Sequence, residues 1–137
     1  MEILSNILTA GILFIMLFFS ISIARNVHKA LDKENAGILL RILFPEYFFW
    51  GLILGLAGAI AFYISGELLK SIILLIVAVL AGISRYVLVP KINKSRDLML
   101  EGEKIARKSF SSLHNVSVSI NVIQIILLLV ILTMELS

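Results

Sequence analysis

ILSNILTAGILFIMLFFSISIA, residues 3–24, carries no charged side chain over 22 residues. As an α-helix it would measure about 33 Å, against a bilayer hydrocarbon layer of about 30 Å. It lacks the period-two alternation of a half-buried strand. A cleaved leader would open with basic residues and a shorter apolar run, whereas this segment follows Met1 and Glu2. Residues 3–24 are therefore expected to be a retained membrane-spanning helix.

Three further runs repeat the pattern. Residues 47–64 and 116–134 contain no charge over 18 and 19 residues. Pro45, just before the first of these, suits a first helical turn, where its missing N–H costs little. Residues 36–44 form an apolar approach broken by Arg41, either an interfacial helix or a bent extension of the second span. The third run is interrupted. Only 14 uncharged residues separate Lys70 from Arg85, about 21 Å of helix and too short to cross. Residues 68–89 are long enough, and they carry Arg85 about 7 Å inward from Pro90. The expectation is all-α: one integral membrane four-helix bundle over residues 1–137, with spans at about 3–24, 45–65, 68–89 and 114–135.

Composition agrees. Sixty per cent of the 137 residues are hydrophobic and the mean hydropathy is +1.06. A soluble domain has roughly 45–50% apolar residues, and a chain this short has too little interior to hide the excess. With no cysteine, disulfides, thiolate metal sites and cysteine nucleophiles are excluded. There is no phosphate-binding glycine loop, no HExxH and no pair of intramembrane aspartates, so no enzymatic signature is present.

The net charge of +3 matters less than its placement. Arg25, Lys29, Lys33, Arg41, Lys91, Lys94, Arg96, Lys104, Arg107 and Lys108 fall on one side of the four-span arrangement. With Arg85 set aside, only Lys70 falls on the other. Basic connectors stay cytoplasmic. The expected location is a plasma (cytoplasmic) membrane, multi-pass, with residues 25–44 and 90–113 inside and both termini outside. These connectors account for the basic residues without nucleic acid as a partner; the partner is the lipid bilayer. Ser65, Gly66 and Glu67 make a tight outer link. Residues 91–113 mix charge with Leu98, Ile105 and Phe110, as in helical extensions or an interfacial helix.

Small residues at four-residue spacing, Gly51, Gly55 and Ala59 in span two and Ala78 and Gly82 in span three, let helix backbones approach closely. Packing within the monomer is their expected use; a homo-oligomer is also open. Polar residues gather at the inner end: Ser20, Ser22, Arg25 and His28 on span one, Glu46 and Tyr47 on span two, Ser84, Arg85 and Tyr86 on span three. On span four His114, Ser117, Asn121 and Gln124 are spaced three, four and three, along one helical face. Such a face belongs inside a bundle, as glue between helices or as a ligand site. Arg85 either snorkels to the interface or pairs with Glu46. His114, and after it His28, are the candidate metal ligands, because two imidazoles at matched depth suit haem or a metal.

Three segments together resemble a known family. Leu43 to Phe48, reading LFPEYF, is similar to an LFPxYF element. Arg85 to Ile92, reading RYVLVPKI, resembles a third-span ending with VxPxI. Phe110 to Asn121, matching FxxLHxxSxxxN at Phe110, Leu113, His114, Ser117 and Asn121, resembles a fourth-span opening. The pattern resembles the transmembrane protein 205-like family, also known as domain of unknown function 4149, which is distantly similar to four-span copper-resistance and haem-associated membrane proteins. The resemblance implies four spans and no mechanism. Arg85 departs from it, standing where Asn is usual.

The leading functional expectation is a non-enzymatic membrane protein with no resident cofactor. It would bind, or help move, a small solute or metal ion through a polar pocket at the cytoplasmic helix ends. Arg85, His114, Ser117, Asn121, Glu46 and Tyr47 are the candidate contacts. The alternatives are a haem- or copper-linked redox protein with His114 as axial ligand, and an assembly partner without a ligand.

Overall fold

The computed structural model describes residues 1–134; the last residue of the expected fourth span, 135, lies outside them. Four long helices are present: α1 Glu2–Ala30, α2 Lys33–Ile64, α3 Leu68–Leu100 and α4 Lys104–Met134. No strand occurs among the described residues. Each helix is long and apolar enough to cross a membrane, so the protein is a multi-pass membrane protein.

At 29–33 residues the helices measure about 43–50 Å and exceed the hydrocarbon layer. The excess lies at one end. The short link 65–67 sits where it was expected, whereas α1 runs to Ala30, α2 begins at Lys33, α3 reaches Leu100 and α4 begins at Lys104. The connectors read as 25–44 and 90–113 are thus mostly helix, forming an overhang of roughly 10–20 Å. Pro45 is not in a first turn. It lies inside α2, where its ring removes one N–H from the ladder and denies the Arg41 carbonyl its usual partner. Packing on both sides carries the helix through.

The helix ends have identifiable chemistry. Asp32 caps α2, its Oδ1 accepting from the Glu34 and Asn35 N–H groups at 3.0 and 2.9 Å. Gly66 and Gly102, at φ +82° and +95°, close α2 and α3. The Gly66 N–H donates to Tyr63 and the Glu67 N–H to Phe62; Gly102 and Glu103 do the same to Met99 and Leu98. This paired pattern satisfies orphan carbonyls and needs a left-handed residue, which glycine supplies without strain.

In the bundle α1 packs on α2 and α4, and α3 packs on the same two. Ile12, Met16, Phe62, Leu74, Leu128 and Ile131 fill the centre. The small-residue stripes meet between α2 and α3 of the same chain: a Cβ added at Gly55 would lie 2.9 Å from Ala78 Cβ. At the end away from the overhang Lys70 is buried, and its Nζ lies 3.3 Å from Glu67 and 4.0 Å from Glu2. Those carboxylates offset the cost of placing an ammonium in a span.

The overhang is tied together by polar groups. Arg41 forms an ion pair with Asp97, Arg96 donates to the Lys33 carbonyl at 2.6 Å, and the Ser95 and Ser109 hydroxyls are 3.2 Å apart. Two segments near its base depart from α geometry. Phe19–Ile23 in α1 and Ser84–Leu88 in α3 are π-helical. Each widens a turn and shifts which side chains face inward.

Candidate functional site

The widened turn of α1 carries Ser20, an exposed residue that faces α4. Its hydroxyl donates to Asn121 Oδ1 on α4 at 3.4 Å, and Asn121 Nδ2 donates to the Tyr47 hydroxyl on α2. This chain of neutral groups joins three helices at one depth. Tyr47 is buried and stacks on Phe19 with ring centroids 4.4 Å apart; Phe44 lies 5.3 Å from Phe19 on another side. One turn deeper, buried Gln124 donates to the Val77 carbonyl at 2.9 Å. Gln124 is therefore glue between α3 and α4, while Asn121 borders open space.

That space is a cavity of about 490 Å³ at the overhang end of the bundle, within the usual range for small-molecule sites. All four helices contribute to its wall. Tyr47, Asn121, Ser117 and His114 line it, as do Ser20 and His28. His114 also stacks on Phe110, with centroids 6.2 Å apart. Four of the six candidate contacts thus share one cavity, and the inward face of α4 provides three of them.

Arg85 and Glu46 do not line it. Glu46 is exposed, and no Arg85–Glu46 ion pair occurs among the described residues. Arg85 instead donates to the Pro45 carbonyl, with its guanidinium 4.8 Å from the centre of the Phe49 ring. Backbone oxygen and an aromatic face satisfy a half-buried guanidinium without a counter-ion. Of the two alternatives for Arg85, the pair with Glu46 is thus not formed among the described residues.

His28 and His114 both reach the cavity, and no group of three or more His, Asp or Glu side chains suited to a metal ion gathers among the described residues. Two imidazoles are the only nitrogen ligands the wall offers, short of the donor set of a closed metal site.

The family described as a domain of unknown function (DUF4149) matches residues 4–101. The chain belongs to that family. The DUF4149 match spans almost all of α1, α2 and α3, and leaves outside it the helix that carries His114, Ser117 and Asn121. No curated protein and no solved structure matches the chain. In this DUF4149 protein, sequence reasoning passed over Ser20 and Arg25 as site residues and missed the aromatic wall of Phe19, Phe44 and Phe48. Phenylalanine in an apolar span gives no signal of its own, and the widened turn that carries Ser20 has no proline or glycine to mark it.

Proposed function

We propose that this protein binds a small solute, or helps one through the membrane, in the cavity at the overhang end of the bundle. The reading places that end in the cytoplasm of a plasma membrane, on the asymmetry of basic residues. The observation that carries it is the cavity itself: a preformed, largely apolar space holding convergent polar groups at Ser20, Tyr47, Asn121 and His114. Such spaces are the default binding sites of helical bundles. Within the family, the LFPEYF and FxxLHxxSxxxN segments support assignment to the transmembrane protein 205-like branch.

Ligand-dependent thermal stabilisation tests the reading. A solute at one hundred times its Kd stabilises the bundle by about 2.7 kcal/mol, and the shift is expected to vanish in Asn121→Leu and fall in His114→Ala. If no solute stabilises the protein and a second polypeptide co-purifies in fixed ratio, an assembly role replaces this one. A haem- or copper-linked role draws on His28 and His114 sharing the cavity. Visible absorbance and elemental analysis of protein in mild detergent decide it: a colourless, metal-free preparation counts against that alternative.

A further inference from the structure

The cavity wall carries a charge pattern that narrows its ligand. Its ionisable groups besides Tyr47 are Arg25, His28 and His114, and no carboxylate lines it. Neither Arg25 nor His28 has a hydrogen-bond or ion-pair partner among the described residues. The neighbouring acids are engaged or turned away: Asp32 caps α2, Asp97 holds Arg41, and Glu46 is exposed outside the cavity. A cation would meet the Arg25 guanidinium and no carboxylate here, whereas an anion would meet unengaged donors.

The rest of the wall is greasy. Leu17, Phe19, Phe44, Phe48, Val122 and Ile125 surround the space, a poor coat for a small hydrated anion. The two chemistries are also separated in depth. Arg25 and His114 lie about 8 and 10 Å further out along their helices than Ser20 and Asn121. The cavity therefore presents a basic mouth above an apolar, aromatic base, the order in which an inner-leaflet lipid presents head and tail.

It is also open sideways. Helices α1 and α4 pack along the outer part of α1, up to Phe18. From about this point, Leu17 and Ile21 on one side and Val118 and Val122 on the other line the cavity yet remain 37, 61, 47 and 49% exposed. Among the described residues, the long Ser20–Asn121 hydrogen bond is the one hydrogen bond that bridges this gap.

We propose that the ligand is a single-chain amphiphile with an anionic phosphate or carboxylate head. It enters from the bilayer between α1 and α4, and its head is held by Arg25, His28 and His114. The proposal rests on the binding cavity described above and specifies what fills it.

Native mass spectrometry of the full chain, released from neutral maltoside micelles, tests it with four probes. These are dodecyl phosphate, dodecyltrimethylammonium, dodecanol and inorganic phosphate. Dodecyl phosphate is expected to give a saturable one-to-one adduct, weakened at least tenfold in Arg25→Gln/His28→Gln, whose substitutions lie on exposed positions. Ile21→Trp, which fills the lateral gap, is expected to reduce the adduct while leaving the thermal midpoint unchanged. Equal binding of the cationic or alcohol probe, still lost in Asn121→Leu, overturns the anionic head and preserves the cavity as a binding site. Inorganic phosphate binding as well as dodecyl phosphate overturns the amphiphile. A saturable dodecyl phosphate adduct indifferent to Ile21→Trp overturns entry between α1 and α4, and absence of a saturable adduct with every probe overturns both this proposal and the binding role.

Discussion

Replacing Gly55 with alanine puts a methyl group 2.9 Å from Ala78 Cβ and 3.3 Å from Ala78 Cα. The second of these atoms is backbone, so no rotamer change relieves the contact and α3 itself has to move. Overpacking of this kind costs about 1–3 kcal/mol. The substitution also removes a helix-interior glycine, which favours the folded state by roughly 0.5–1 kcal/mol. Gly11 separates the two effects, because a Cβ there meets nothing within 4 Å. Gly11→Ala is therefore expected to stabilise slightly, and Gly55→Ala to fall below it by the overpacking cost of about 1–3 kcal/mol. Reversible unfolding in mixed micelles titrated with dodecyl sulfate, followed by circular dichroism, measures both variants. Ala78→Gly placed in the Gly55→Ala background should recover most of the loss. Two alanine variants within about 0.5 kcal/mol of each other, the usual additivity error, would refute close α2–α3 contact at this point.

Three further outcomes follow from the same structure. Glu46→Gln should leave stability within about 0.5 kcal/mol of the parent, as for other surface changes, and show no coupling to Arg85→Gln; a coupling energy above about 0.5 kcal/mol in the double-mutant cycle would reinstate the ion pair. Asp32 is held below its ordinary carboxyl value by the Asn35 backbone and side-chain bonds, then by Glu34. Its cap contributes fully above the unfolded-state value and is lost as pH falls through the lower folded-state value, so Asp32→Asn should flatten the acid limb of stability measured from neutral pH to below 3.8. A phosphatase fused to the C-terminus is expected to be active, and a fluorescent protein there dark. The reverse pattern would invert the proposed orientation.

The four spans were legible because charge-free runs such as residues 3–24 admit one explanation in lipid. The inward face of α4 was legible for a related reason: polar groups at helical spacing in hydrocarbon need partners, and Asn121 and Gln124 have them. Arg85 was harder. A reading that matches charge with charge looks for an acid, and the partner is the backbone carbonyl of Pro45 beside an aromatic ring. Pro45 itself misled, since proline usually begins helices, and only tertiary packing carries α2 through it. The overhang was half-visible, as amphipathic sequence between spans, but its continuity with the spans depends on cross-helix ties such as Arg41 to Asp97, whose partners are 56 residues apart. The cavity was not legible as a volume, because it is walled by side chains from all four helices, including the widened turn of α1 and an aromatic cluster.

The unequal reach of the helices beyond the bilayer makes the protein directional to a protease. On the short side, trypsin would find only Lys70, whose side chain is 7% exposed and flanked by Glu2 and Glu67. On the long side stand ten Lys and Arg residues, four between 25 and 41 and six between 91 and 108. Sealed vesicles of a single sidedness should therefore be either shaved down to their membrane-embedded remnants or left whole. The digestion pattern alone would then report the orientation, with no fusion partner required.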